Sequence, residues 1–369
     1  MLNLSNTHRI WAEIDITSLK HNYRQAARLS GNKKVYAVIK ANAYGHGAAQ
    51  CAEALISEGC RSFAVASCEE AIKLAESGID AEILIMGAIP AERAAEMAEK
   101  NISITIVSLG HAKQISAAMS GKSINAHFKV DTGMARLGFG CEGAVEGIVA
   151  AANLPGIQAK GVFSHFAAAS IAEEREFTLS QYEQFVYICA SLKRAGLESL
   201  TRHCSSSDAI IGLQTSIDNA IRPGIMLYGY SSFDIAPLKP VMSLRAVVAQ
   251  TKIVKKGESV SYNRAWRAPE DSKIAVVCAG YADGLLRSGS SRIEMIVEGQ
   301  RAQQVGTICM DMAMIDITGL KGVKPGSVAT IIGQDGSECI NADEHAERCS
   351  TIPYEALCSI SGRVARHYY

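Results

Sequence analysis

The stretch VYAVIKANAYGHG, residues 35–47, runs through five apolar residues from Val35 to Ile39 and then places a lysine, Lys40, where a buried strand should end. Asn42, Tyr44, Gly45, His46 and Gly47 follow at once in what reads as a loop. Short runs of the same kind recur: FAVAS (63–67), ILIMG (83–87), ISITIVS (102–108), AHFKVD (126–131), KGVFSHF (160–166), LTRHC (200–204) and AIR (220–222). Each is apolar and β-branched or small, as a strand covered on both faces should be. The segments between them, such as GAAQCAEALISEG and CEEAIKLAESG, have helix-type composition. Strands alternating with helices in this way predict an α/β fold, a (β/α)8 barrel domain over residues 1–240 whose eight strands follow the opening strand IWAEIDI.

The character changes after Pro237. PVMSLRAVVAQTKIVKKGESVSYN, SKIAVVCAG, RIEMIVEGQRAQQVGTICMDMAMIDI and SVATIIG read as strands separated by turns containing Gly, Asp, Ser or Lys. A C-terminal all-β domain is predicted over residues 241–369, and DIAPLKP, with its two prolines, reads as the linker.

With 369 residues the chain can bury a large core. Its 37 basic side chains balance 37 acidic ones, so no net field favours nucleic acid or an anionic membrane, and small polar molecules are the expected partners. The start, MLNLSNTHRIW, lacks the basic segment and apolar run of a secretory signal, and no apolar stretch approaches the roughly 20 residues of a membrane helix. Eleven cysteines without a Cys-x-x-Cys pair predict free thiols in a reducing compartment, the cytoplasm. The nine histidines do not fall at ligand spacings, so no metal is expected.

In a (β/α)8 barrel the active site lies where strands end and loops begin. Lys40 ends the first strand, His165 the sixth, His203 the seventh and Arg222 the eighth, while Lys129 lies in the fifth with Arg136 just beyond it. Taken singly, each has an ordinary structural explanation, a lysine leaving a strand for water or a histidine hydrogen-bonded at a rim. Their convergence on one rim points to a site. Barrels often bind phosphate through the loops after strands seven and eight, which here offer Ser205, Ser206 and Ser207, then Gly224 and Ile225. A phosphate on that side with a lysine across the mouth fits pyridoxal 5′-phosphate, whose aldehyde forms a Schiff base with lysine and whose ring nitrogen needs a protein partner.

Through AVIKANAYGHG, HFKVDTGMARLGFG, GVFSHFA, RPGIMLYG, VSYNRAW, GYADG, ICMDM and IPYEALC, in that order, the chain resembles the alanine racemases, pyridoxal-phosphate enzymes built from a TIM-type barrel and a β domain. The resemblance covers nearly the whole length. It implies that Lys40 carries the cofactor and acts as base on the D side, opposed by Tyr262 on the L side. It also implies a homodimer with shared sites, in which the β domain contributes Tyr262, Tyr281, Met310 and Asp311 to the partner subunit's site, the last three toward substrate. Arg136 and His165 are the implied neighbours that manage the tyrosine proton, and Arg222 the residue facing the pyridine nitrogen, with His203 behind it. Tyr44, Ser207, Gly224, Ile225 and Tyr354 are implied at the phosphate. Lys129 corresponds to a lysine that family members often carry carbamylated; its ordinary alternative is a pair with a carboxylate such as Asp131.

One segment departs from the family. HCSSSDA places Ser206 where an asparagine usually precedes the phosphate-binding serine, a point at which the chain resembles the related serine racemases. Tyr354 keeps the bulky residue that crowds a small side chain, so alanine is the expected substrate and serine a slower one. A broad-specificity racemase of the same family is the alternative. A single-barrel protein that carries the cofactor without catalysis would lack both the second domain and a counterpart of Tyr262.

Overall fold

The computed structural model describes residues 7–31, 33–213, 215–233 and 237–369, so part of the DIAPLKP linker and of the MLNLSNTHRIW start lies outside the described residues. The chain divides into two compact units, one of residues 19–43 and 48–239, the other of residues 7–18, 44–47 and 240–369. The strand β1 (Ile10–Ile14) falls in the second.

In the first unit, β2 (Lys34–Val38), β3 (Ser62–Val65), β4 (Glu82–Ala88), β5 (Ile102–Ile106) and β6 (Ile124–Asp131) pair in parallel in sequence order. The two-residue β7 (Phe139–Gly140) pairs with the end of β6. Beyond β6 the sheet continues through β8 (Ile157–Phe163) and β9 (Thr201–His203), and β10 (Ala220–Ile221) returns to β2. Backbone bonds from Asn219 N to Arg202 O (3.0 Å) and Arg222 N to Ser205 O (2.9 Å) draw β10 toward β9, so the eight strands form a nearly closed barrel. All eight runs read from the sequence are strands of it.

Helices between the strands start where short-range signals place them. Ser67 Oγ accepts from Glu70 N ahead of Cys68–Glu76, and Ser108 Oγ from His111 N ahead of Leu109–Ala118, each meeting one of the orphan donors of a first turn. In the barrel wall a Cβ at Gly161 on β8 would overlap His127 Nδ1 on β6, so glycine there is what leaves room for a buried imidazole.

The second unit is a sheet in the order β16–β15–β18–β11–β1–β20, with β14 pairing β11 and β17, and β19 pairing β18. Its later strands are β11 (Met242–Val254), β12 (Ser259–Val260), β13 (Trp266–Arg267), β14 (Ser272–Val277), β15 (Glu294–Val297), β16 (Gln300–Gln303), β17 (Ala313–Asp316), β18 (Val328–Asp335), β19 (Glu338–Ile340) and β20 (Ala365–Tyr368). β12 and β13 form a separate hairpin. Two short helices, Ala342–Arg348 and Pro353–Cys358, precede the last strand.

The barrel's span of residues 1–240 therefore needs a correction at its N-terminal end. IWAEIDI belongs with the second unit: β1 lies between β11, to which it is antiparallel, and β20, to which it is parallel. Glu13 fixes the place, accepting from Trp11 Nε1 at 2.9 Å and from Arg245 Nε at 3.0 Å. An apolar strand read from sequence carries no information about which edge it will join. Among the described residues no helix is long and apolar enough to cross a membrane, and no group of His, Cys, Asp or Glu is placed to hold a metal ion.

Candidate functional site

The carboxyl ends of the barrel strands hold most of the residues singled out above. Lys40 stands two residues past β2, and the chain then does something unusual. Ala41, Asn42, Ala43 and Tyr44 all have φ between 50° and 56°, one turn of left-handed helix made without glycine. Each such residue costs about 1–2 kcal/mol, so the surroundings have to hold the turn. Ala43 N bonds back to Ile39 O at 2.8 Å, Asn42 Oδ1 accepts from Ala48 N at 2.9 Å, and the Glu70 carboxylate accepts from Ala41 N at 2.6 Å and from Ala66 N at 2.7 Å.

Arg222, just past β10, is buried and heavily bonded. Nη1 donates to His203 Nδ1 (2.8 Å) and to His203 O; Nη2 donates to Ser164 O (2.7 Å), Cys204 O (3.1 Å) and His165 Nδ1 (3.4 Å). Among the described residues its Nε–H has no acceptor. The guanidinium lies over the Phe163 ring, 5.2 Å from the centroid, and the same ring stacks on His203 with centroids 4.8 Å apart. A guanidinium only donates, so His203 Nδ1 accepts and its proton sits on Nε2. That proton points to His127 Nδ1 at 2.9 Å, which puts the second imidazole's proton on Nε2, 3.9 Å from Glu82 Oε1. Burial, with Arg222 nearby, holds His203 well below the ordinary histidine pKa, and burial lowers His127 to about 4. Both rings are neutral, and the row Arg222–His203–His127 carries a single fixed charge.

Lys129, inside β6, is buried with its Nζ over the Phe163 ring at 5.0 Å. It makes no ion pair with Asp131. That carboxylate instead accepts from the backbone of Gly133 (3.0 Å), Ala135 (3.1 Å) and Arg136 (2.9 Å) and folds the loop that carries Arg136. Burial, then Arg222 and Arg136, push the Lys129 amine down to about 7. The same causes, burial first and then Arg222 and Lys129, push His165 to about 2.

Ser206, at the family's asparagine position, caps nothing with its side chain. Ser207 Oγ accepts from Gly224 N (2.9 Å) and Met226 N (3.3 Å), which joins the loops after β9 and β10 and leaves its own O–H to donate. Ile225 begins the single turn Ile225–Tyr228, where an N–H has no partner within the turn. These donors and the spare Nε–H of Arg222 are the set that an anionic phosphate and a pyridine nitrogen require, so the residues present fit pyridoxal 5′-phosphate.

The second unit holds the remaining residues. Tyr44 and Tyr354 stand with ring centroids 6.0 Å apart. Tyr262, 67% exposed, lines a cleft of about 550 Å³ together with Cys309, Met310 and Asp311. Its neighbours are again strained: Ser261 has φ 69° with ψ −176°, and Asn263 and Arg264 have φ of 59° and 52°. Two hydroxyls tie this turn down, Ser261 Oγ donating to Thr307 O at 2.5 Å and Thr307 Oγ1 to Tyr262 O at 3.3 Å.

Tyr281, Met310 and Asp311 are brought together by a buried carboxylate. Asp283 pairs with Arg9 at 2.5 Å and Arg363 at 3.0 Å, and Arg363 also reaches Asp311 at 2.6 Å. Above it Tyr281 N bonds Cys309 O and Ala282 N bonds Met310 O, each at 3.0 Å; a Cβ at Gly280 would overlap Met310 O.

Glu70, His127, Asp283 and Thr307 were not singled out in the sequence. Two of them leave a signal there. His127 precedes Lys129 by two residues and so shares its face of the strand, and Glu70 is the third residue after Ser67 in a capping-box spacing.

The sequence matches the family model for the alanine racemase N-terminal domain over residues 14–232 and that for the C-terminal domain over residues 241–368. It is 39% identical to the alanine racemase of Carboxydothermus hydrogenoformans, covering 97% of this chain and 99% of that one, and 39% identical to alanine racemase 1 of Bacillus subtilis, covering 97% and 92%. Among solved structures it resembles the alanine racemase of Bacillus anthracis with bound L-Ala-P, with a TM-score of 0.92, 33% identity, and coverage of 98% and 95%.

Proposed function

The chain belongs to the alanine racemase family, and from that premise we propose that it interconverts L-alanine and D-alanine on pyridoxal 5′-phosphate, with Lys40 and Tyr262 as opposed bases. Arg222 is the observation that carries this reading: a buried cation with its four terminal N–H groups spent and its Nε–H remaining. A pyridine nitrogen can accept that one bond and stay unprotonated, because a guanidinium does not give up its proton.

When bound, the cofactor supplies the electron sink that makes the substrate α-proton acidic. Lys40 would hold the cofactor through Nζ and, with its amine free, would take or return the α-proton on the D face. Tyr262 of the partner subunit serves the L face, since a proton that leaves one side of a planar carbon must be replaced on the other. An ordinary phenol, with a pKa near about 10, is a poor base at neutral pH. Arg136 and His165 answer that: the first is a fixed cation beside the site, the second an imidazole kept neutral by burial, whose Nδ1 accepts from Arg222 and whose Nε2–H is left to donate to the phenol oxygen. Ser207, Gly224, Ile225, Tyr44 and Tyr354 hold the phosphate, and Met310, Asp311 and Tyr281 of the partner subunit face the substrate. Lys129, kept close to its neutral form beside two arginines, is suited to take up carbon dioxide as a carbamate that orients Arg136.

Borohydride reduction followed by peptide mass analysis tests the central assignment. The cofactor mass is expected on the peptide that contains Lys40; fixation elsewhere, or none, removes the reading. Because an apolar pocket rejects an added hydroxyl only weakly, kcat/KM for alanine is expected to exceed that for serine by ~10²-fold or less.

A further inference from the structure

We propose that Glu70, on the helix Cys68–Glu76, is a positioning residue for Lys40: its carboxylate holds the left-handed turn that aims the lysine. The proposal rests on the reading of Lys40 as the cofactor-bearing base.

Four consecutive non-glycine residues at positive φ have no conformational preference of their own to keep them there, and they begin directly after Lys40. The backbone at Ala41 therefore sets where the Lys40 side chain starts. Glu70 Oε1 accepts from Ala41 N at 2.6 Å, and Oε2 accepts from Ala66 N, just past β3, at 2.7 Å. One carboxylate thus bridges the ends of two adjacent barrel strands, through bonds of the charge-assisted, stronger kind.

Position matters as well. Glu70 stands third in its helix after the capping Ser67, where a glutamate side chain usually turns back to the N–H of the capping residue itself. Here both oxygens are spent elsewhere, on Ala66 and across the strand ends on Ala41. Its neighbour Glu69 has an ordinary surface role, pairing with Arg93 at 2.9 Å. The two glutamates differ in what they hold, although the sequence sets them side by side.

A misplacement of about 1 Å in a reacting group can cost ~10²-fold in rate, and the loss falls on the step that group performs. Loosening the turn at Ala41 should accordingly impair the face served by Lys40 and spare the face served by Tyr262.

The test compares Glu70→Gln and Glu70→Ala with Glu69→Gln in the holoenzyme. It measures α-proton exchange of D-alanine and of L-alanine with heavy water, and amide exchange in the peptide spanning residues 39–48. Glu70→Gln keeps the shape but turns an N–H toward one of the two donors, so it stands in if the alanine variant does not fold. Expected for the Glu70 variants are faster amide exchange in that peptide and D-alanine exchange slowed ~10-fold or more, with L-alanine exchange within about twofold of the parent. Glu69→Gln should change neither. Equal slowing from both enantiomers, or unchanged amide exchange, overturns the proposal. Lys40→Ala supplied with pyridoxal 5′-phosphate serves as the separate control: if it exchanges the D-alanine proton at the parent rate, the assignment of Lys40 fails whatever Glu70 does.

Discussion

The Lys40 turn in the barrel and the Tyr262 turn in the β unit solve the same problem with different means. Each presents one proposed base from backbone that L residues avoid, four left-handed residues after Lys40 and three residues of positive φ around Tyr262. At Lys40 a carboxylate, the Asn42 side chain and one backbone bond hold the strain, and the proposed functional neighbours Lys129, His165 and Arg222 lie in the same unit. At Tyr262 two hydroxyls do the holding, and the ring stands 67% exposed beside Met310 and Asp311. The difference teaches that the first turn belongs to a site largely built within its own unit, whereas the second offers a side chain outward. That is the arrangement expected of a residue destined for a partner subunit's site.

The comparison breaks most plainly if the two bases are interchangeable. Lys40→Ala is expected to lose borohydride-fixed cofactor altogether and racemisation by about 10⁴-fold. Tyr262→Phe should lower racemisation by ~10²–10⁴-fold yet keep the cofactor on Lys40 and the α-proton exchange of D-alanine. Loss of exchange from both enantiomers in Tyr262→Phe would leave no basis for one base per face.

A smaller effect concerns the charge around Arg136. The Lys129 amine, held at about 7, is neutral and open to carbon dioxide from neutral pH upward, where an ordinary lysine becomes so only near about 10. Carbon-13 bicarbonate should therefore give a carbamate signal at mildly alkaline pH. Acidification below the folded pKa protonates the amine, so the signal should fade as the pH drops below about 7. Lys129→Gln should abolish it and lower kcat/KM by about 10-fold, and an active enzyme with a free amine at alkaline pH would set the carbamate aside.

The smallest effect sharpens the comparison at the other turn. Thr307→Val removes the hydroxyl bond to Tyr262 O, a contribution of about 0.5–1.5 kcal/mol, and should slow exchange from L-alanine by about 2- to 10-fold while D-alanine exchange holds. Slowing of the D side instead would show that this turn does not serve the L face.

Much of the barrel was legible because its signals are local. Apolar runs of strand length and polar residues stranded at strand ends lie within a few residues of one another, and they located Lys40, Lys129, His165, His203 and Arg222. The placement of β1 was not legible, because an extended apolar segment can pair in any sheet and Glu13 meets Arg245 only across a sequence separation of 232. The ordinary alternative for Lys129, a pair with Asp131, fails for a related reason: Asp131 is a near carboxylate in sequence, but its own loop supplies three N–H groups that it meets first.

By itself, then, the sequence determined the alternation of strands and helices, the change to β structure after Pro237, and the chemical types gathered at the strand ends, since each follows from local propensity and burial pattern. Only the tertiary structure decided that Lys40 leads into a left-handed turn braced by Glu70. It alone decided that Arg222 is tied through His203 to His127, and that Asp283 locks Tyr281 beside Met310 and Asp311. Those choices depend on groups far apart in the chain, and a strained turn or a buried charge persists only where such distant partners hold it.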